Sequence, residues 1–222
     1  MKIETIVVTG SIGSGKSRVL DTIRDKSESK VSFFSFDEFT RDLYKRDDVK
    51  KFLTIMFGTT DRNKISDIVF SASRQLGKTE TVNILLDELN DFFFKIVEEK
   101  FLELVNRKHT PTLVIEMPLY FEMKERSTQM KMARSKVKVV VVACDDDVRI
   151  QRVKNRDGFT EEKIRNIINK QTPQSFKIEN ADYVIDTTDG HCETHVVDLM
   201  KSKFKKVFFH VDDQQRNSKI PA

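Results

Sequence analysis

The chain has 222 residues, with 39 basic against 35 acidic side chains and a formal net charge of +4 spread along its length. So small and diffuse an excess suits an anionic small molecule and argues against a nucleic-acid partner, which would need a concentrated basic face. Two cysteines are too few for a disulfide framework, and no apolar run approaches the length that spans a bilayer. A soluble, unprocessed, cytoplasmic protein with one α/β domain and an added helical element is expected.

The first apolar run, Ile3 to Thr9, leads into Gly10-Ser11-Ile12-Gly13-Ser14-Gly15-Lys16-Ser17, and a helical pattern follows from Arg18. Gly10, Gly15, Lys16 and Ser17 satisfy G-x-x-x-x-G-K-[ST], the spacing by which a strand passes to a helix through a turn of exposed backbone N–H groups. Those groups and the positive end of the helix attract a triphosphate, so Ser11, Ile12, Gly13, Ser14, Gly15, Lys16 and Ser17 are the expected nucleotide contacts. Lys16 would reach the β- and γ-phosphates, and the Ser17 hydroxyl would bind a magnesium ion.

A second strand is expected over Val31 to Phe36, with Asp37 just past it as candidate base for an acceptor hydroxyl. A role in capping the next helix is the other reading of Asp37. About seventy residues without a good strand follow. Helical periodicity marks Asp47 to Phe57, Lys64 to Leu76 and Thr79 to Arg107, with breaks at Phe57-Gly58 and Gly77. Phe92-Phe93-Phe94 lies at helical spacing, which favours a core position over a base-stacking platform.

Thr112 to Glu116 is the third strand, and Glu116 at its end is a candidate magnesium ligand, direct or through water. Glu122 is a further carboxylate close in sequence, ranked lower because a solvated loop position explains it equally well. The fourth strand, Val137 to Ala143, is continuous enough to be buried on both faces. Two charged helices span Asp145 to Gln171, with Thr160 as N-cap of the second. Arg149, Arg152 and Arg156 fall at steps of three and four, a basic face that can close over a transferring phosphoryl group. Tyr183 to Asp186 is the fifth strand, and a last helix runs from Gly190 to about Lys206. His191 and His195 flank Cys192 and Glu193, and a surface helix face accounts for them better than a metal site. Alternating strands and helices predict a parallel sheet with ligands at the carboxyl ends of its strands.

Several of these segments together resemble the dephospho-coenzyme A kinases. The resemblance rests on Val8 to Ser17; Asp37 with Arg41; Phe57-Gly58; Asp67-Ile68-Val69-Phe70; Met117-Pro118-Leu119-Tyr120-Phe121-Glu122; Gln151 to Asp157; Gln171; and Ala181 to Asp186. It implies a three-layer P-loop kinase fold: a five-stranded parallel sheet, a helical substrate-binding insertion and a lid. The implied subregions are a core of 1–46, 108–145 and 180–206, a helical substrate region of 47–107 and a lid of 146–179, with a polar tail at 212–222.

It also implies transfer from ATP with Mg²⁺ to the ribose 3′-hydroxyl of dephospho-CoA, a step of coenzyme A biosynthesis. Lys16, Asp37, Arg152 and Arg156 would be catalytic, and Thr187-Thr188 would lie by the adenine. The chain departs from the family pattern at Leu85-Leu86-Asp87-Glu88, where His-Pro is usual after the Leu pair, at Gln174, where Arg is common, and at Glu116, where Asp is usual. These changes concern the acceptor and lid sides, so a virus-type deoxynucleoside monophosphate kinase is an alternative reading. A non-catalytic nucleotide switch is a third.

Overall fold

The computed structural model describes residues 4–27, 31–65, 68, 80–107 and 112–204. Ile3, most of the expected helix at 64–76, most of the Asp67-Ile68-Val69-Phe70 motif, Gly77 and the tail at 212–222 lie outside the described residues. Five strands form one sheet: β1 (Glu4–Thr9), β2 (Val31–Ser35), β3 (Thr112–Glu116), β4 (Val137–Ala143) and β5 (Tyr183–Asp186). Their order is β2-β3-β1-β4-β5, and β1 runs parallel to both β3 and β4, as β4 does to β5. The chain leaves the central β1 toward one side of the sheet and then the other, so a crevice opens at the carboxyl ends beside β1.

The expected strands and observed strands agree within a residue. The difference at Phe36 has a local cause: Ser35 caps α2 (Phe36–Leu43) by accepting the Glu38 N–H at 3.3 Å, which draws Phe36 into the helix. β4 is buried at every position except Lys138, as its unbroken valine run predicts. One sheet face, carrying Ile6, Val8, Val140 and Val142, is covered by α1 (Lys16–Lys26) and α10 (Cys192–Lys203) through Val19, Ile23, Val196 and Met200.

Two compact units divide the chain, Met1–Phe34 with Val105–Ala222, and Ser35–Leu104. The first holds the sheet together with α5 (Tyr120–Arg126), α6 (Thr128–Ala133), α7 (Asp146–Asp157), α8 (Glu161–Lys170) and α9 (Gln174–Glu179). Thr160 caps α8 as expected, accepting the Lys163 N–H at 3.3 Å. The second unit is helical, with α2, α3 (Asp47–Phe57) and most of α4 (Glu80–Asn106). Its own core gathers Leu43, Val49, Leu53 and Ile65.

Phe92 and Phe93 of the phenylalanine cluster pack against that core. Phe92 stacks on Phe52 with ring centroids 3.9 Å apart and planes at 7°, and Phe93 stacks on Tyr44 at 5.4 Å. Truncating Phe92→Ala is therefore expected to lower stability by about 2 kcal/mol, through lost burial and stacking. Thermal unfolding would show the loss, while nucleotide affinity stays at its parental value; the reverse pattern would restore the stacking-platform reading.

Candidate active site

The turn between β1 and α1 is shaped by what cannot fit beside it. Gly13 has φ +75°, and a Cβ there would lie 2.6 Å from the Arg149 carbonyl oxygen and 2.8 Å from Val153 Cγ2. Only a residue without a side chain lets α7 press this close. Gly15, with φ +87°, is the left-handed N-cap of α1. The helix has no side-chain cap and no acid in its first turn, so its positive end is left to a bound anion. Lys16 extends its ammonium back across the loop, donating to the carbonyls of Gly10 at 2.9 Å and Ser11 at 3.0 Å. It begins α1 two residues earlier than the periodicity predicts.

Groups from three other elements fasten the loop. The Ile12 N–H donates to Gln171 Oε1 at 3.1 Å, and the Ile12 side chain packs on the Ile150, Val153 and Ile164 cluster of α7 and α8. Thr187, just past β5, is buried, and its hydroxyl proton is shared between the Ser14 carbonyl at 2.8 Å and the Ala143 carbonyl at 3.2 Å. Arg152 donates to the same hydroxyl at 2.9 Å and to the Thr187 carbonyl at 2.6 Å, with Cys144 Sγ 3.2 Å from Nη1. A Cβ at Gly15 would stand 3.5 Å from both Arg152 Nη1 and Thr187 Oγ1. One guanidinium is thus set beside the start of α1, where phosphate charge would collect.

The three arginines of α7 do not form a common face of similar groups. Arg149 is 3% exposed and turned to Asp146, with Nε 3.0 Å from Oδ1. Arg156, near the exposed end of α7, pairs with Asp157 at 2.7 Å, and that hydrogen bond holds the Asp157 carboxyl below its usual range. Only Arg152 is held against the loop. Thr188 accepts the Asp145 N–H at 3.0 Å, and its own N–H donates to Asp186. The Thr188 contacts, above all the side-chain one, hold the Asp186 carboxyl below its usual range.

Glu116 closes β3 half-buried and in register with Val8, next to the loop's entry, while Ser17 is exposed in the first turn of α1. Both are oxygen donors of the kind magnesium takes. Asp37 is exposed in the first turn of α2 and belongs to the helical unit. Glu122 corrects the sequence reading: it lies in α5, its side chain is 17% exposed, and it faces the ammonium of fully buried Lys177 at 3.0 Å. Lys177 went unmarked for the same reason, since it acts on a residue far away in the chain and no local pattern announces it; Gln174 stood out only as a departure from the family pattern, and its partner Cys144 is equally distant.

A sequence profile for dephospho-CoA kinase matches residues 4–193. The dephospho-CoA kinase of Geobacillus kaustophilus is 32% identical over 202 residues, covering 86% of this chain and 90% of its own. That of Rhizobium meliloti is 30% identical over 188 residues, covering 82% and 88%. Among solved structures, a protein from Thermus thermophilus superposes with a TM-score of 0.65 at 23% identity over 93% of this chain and 99% of its own. Dephospho-CoA kinase from Campylobacter jejuni does so with 0.59 at 19% identity, over 92% and 98%. These two structural likenesses bear on the fold, and both agree with the parallel sheet and its flanking helices. With the profile spanning the phosphate loop, the helical unit and the fifth strand, the chain belongs to the dephospho-CoA kinase family.

Proposed function

We propose that this chain transfers the γ-phosphoryl group of ATP to the ribose 3′-hydroxyl of dephospho-CoA. The observation that carries the reading is the junction at Gly15, where the uncapped end of α1, Lys16 and Arg152 meet in a chain of this family. Membership places the chain among ATP-dependent phosphotransferases. The relatives reported above give no support to a nucleoside monophosphate acceptor.

Transfer of this kind needs little covalent chemistry from the protein; positioning and charge neutralisation supply the rate. The N–H groups of Gly13 to Ser17 hold the phosphates, and Lys16 leaves the Gly10 and Ser11 carbonyls for the β- and γ-oxygens. Arg152 stands beside them, already oriented by Thr187. Arg156 reaches them from the lid by leaving Asp157, an exchange made easy by the solvent that weakens an exposed ion pair. Asp37 accepts the proton of the acceptor hydroxyl or orients it. Thr188 lies on the adenine side, whereas the Thr187 side chain serves the loop and Arg152.

Ser17 and Glu116 fit a magnesium ion that arrives with the nucleotide, because such an ion keeps mostly phosphate and water ligands and takes one or two protein oxygens. When bound it would neutralise charge on the phosphate oxygens. Cys144 and Cys192 are buried free thiols, which suits the reducing cytoplasm, and among the described residues no helix is long and apolar enough to cross a membrane.

A coupled assay of ATP consumption is the direct test, with dephospho-CoA and each nucleoside monophosphate supplied in turn. Turnover is expected with dephospho-CoA, and turnover with monophosphates alone would overturn the assignment. In that assay Lys16→Ala is expected to lower kcat by at least about a hundredfold, and Asp37→Asn by about a hundredfold or more with little change in KM. Near-parental turnover in either variant removes that residue from the chemistry. Thr187→Val, which keeps shape and loses the hydroxyl, is expected to lower kcat/KM by about tenfold to a hundredfold, the equivalent of one hydrogen bond to a charged group. Thr187→Ser should restore most of it. Equal activity of the valine and serine variants would mean that the hydroxyl does not orient Arg152.

A further inference from the structure

The reaction as drawn leaves one buried pair of charges unused. Lys177 in α9 is 0% exposed, and its ammonium lies 3.0 Å from Glu122 Oε1 in α5. The contact is an ion pair off the hydrogen-bonding direction: neither Lys177 Nζ nor Glu122 Oε2 has a hydrogen-bond partner among the described residues. Taking both charges out of water is costly, and an apolar pair of the same volume would serve stability as well or better. Stability alone is therefore a poor account of this pair.

Its position supplies a better one. The same Glu122 Oε1 accepts the Thr172 N–H at 2.8 Å. Thr172 follows Gln171, which holds the Ile12 N–H of the phosphate loop at 3.1 Å. Two residues on, the Gln174 side chain pairs with both polar groups of Cys144, accepting its N–H at 3.3 Å and donating to its carbonyl at 3.1 Å. Residues 171–174 thus join the phosphate loop, α5 and the end of β4. Residues 171–173 link α8 to α9, which begins at Gln174; the Gln171 N–H still closes α8 on the Ile168 carbonyl at 3.0 Å, and past that bond the Glu122 and Cys144 contacts hold the segment that carries the Gln171 side chain.

We infer that Glu122 and Lys177 form a positioning latch for the phosphate loop. The buried ammonium fixes the carboxylate, the carboxylate fixes the Thr172 peptide, and Gln171 is thereby kept on the Ile12 amide. Neither charged residue touches nucleotide; both act through Gln171. The link from latch to ATP affinity rests on the reading of the loop as an ATP site, while the link from latch to the Ile12 amide does not.

The test replaces the pair by an apolar one, Glu122→Leu with Lys177→Met, which removes the acceptor of Thr172 and leaves no buried charge. The thermal midpoint is expected to stay within about 5 °C of the parent. Hydrogen exchange at the Ile12 amide, read by NMR, should accelerate by about tenfold or more, and the ATP Kd by calorimetry should rise about fivefold to tenfold. Glu122→Gln, which keeps an oxygen for Thr172, should lie nearer the parent in both. Gln171→Ala should reproduce the exchange and Kd changes, and adding it to the apolar pair should weaken ATP binding no further.

Parental exchange at Ile12 in the apolar pair or in Gln171→Ala overturns the latch, as does full additivity of the two. Should the apolar pair fail to fold, Lys177→Met alone, which releases the carboxylate that holds Thr172, should accelerate exchange at Ile12 in the same direction, and parental exchange there overturns the latch. Exchange is measured without nucleotide, so a parent that did not bind ATP would overturn the ATP reading while the Ile12 amide still decided the latch.

Discussion

A single hydroxyl, that of Thr187, sits where the phosphate loop, the end of β4 and Arg152 meet, and the candidate site depends on it. A phosphate loop is a turn of backbone donors with no ladder to hold its shape. Its conformation must be imposed from behind by groups that satisfy its outward-facing atoms. Thr187 takes the Ser14 carbonyl, Gln171 takes the Ile12 N–H, and the Arg149 carbonyl and Val153 close on Gly13 so tightly that a side chain has no room. The inner face is then left for phosphate. The cost of ordering such a turn is met in advance by buried contacts, which is how a binding site avoids paying it when the ligand arrives.

The same arrangement divides the arginines of α7. They share a helix and a spacing, yet burial has given them different work. Arg149 is buried and reaches the exposed Asp146, Arg152 is locked against Thr187, and Arg156 is in solvent beside Asp157. A guanidinium already oriented loses little freedom on meeting a phosphate, whereas one in solvent can travel with a closing lid. One helix thereby carries one guanidinium held in place and another in solvent. Asp37 belongs to a helical unit with its own aromatic core, in which Phe52, Phe92, Phe93 and Tyr44 stack. The departures from the family pattern at Leu85-Leu86-Asp87-Glu88 fall within that unit.

What the sequence determined by itself was everything encoded at short range. The five strands were legible as short apolar runs, most of them rich in valine and isoleucine and β2 in phenylalanine, and the loop was legible because G-x-x-x-x-G-K-S states a backbone conformation directly. Helix ends at Gly58, Gly158 and Thr160 followed from left-handed glycines and a capping hydroxyl. The end of β2 was misplaced by only one residue, since the Ser35 cap draws Phe36 into α2. What only the tertiary structure decided were the partners: Thr187 with Ser14, Gln171 with Ile12, Glu122 with Lys177, and Arg149 separated from Arg152 and Arg156. A polar residue's role is set by what desolvates it and what it then faces. For these residues both come from segments distant in the chain, so the same glutamate that a solvated loop position could explain becomes, in the folded protein, the ion-pair partner of a buried lysine.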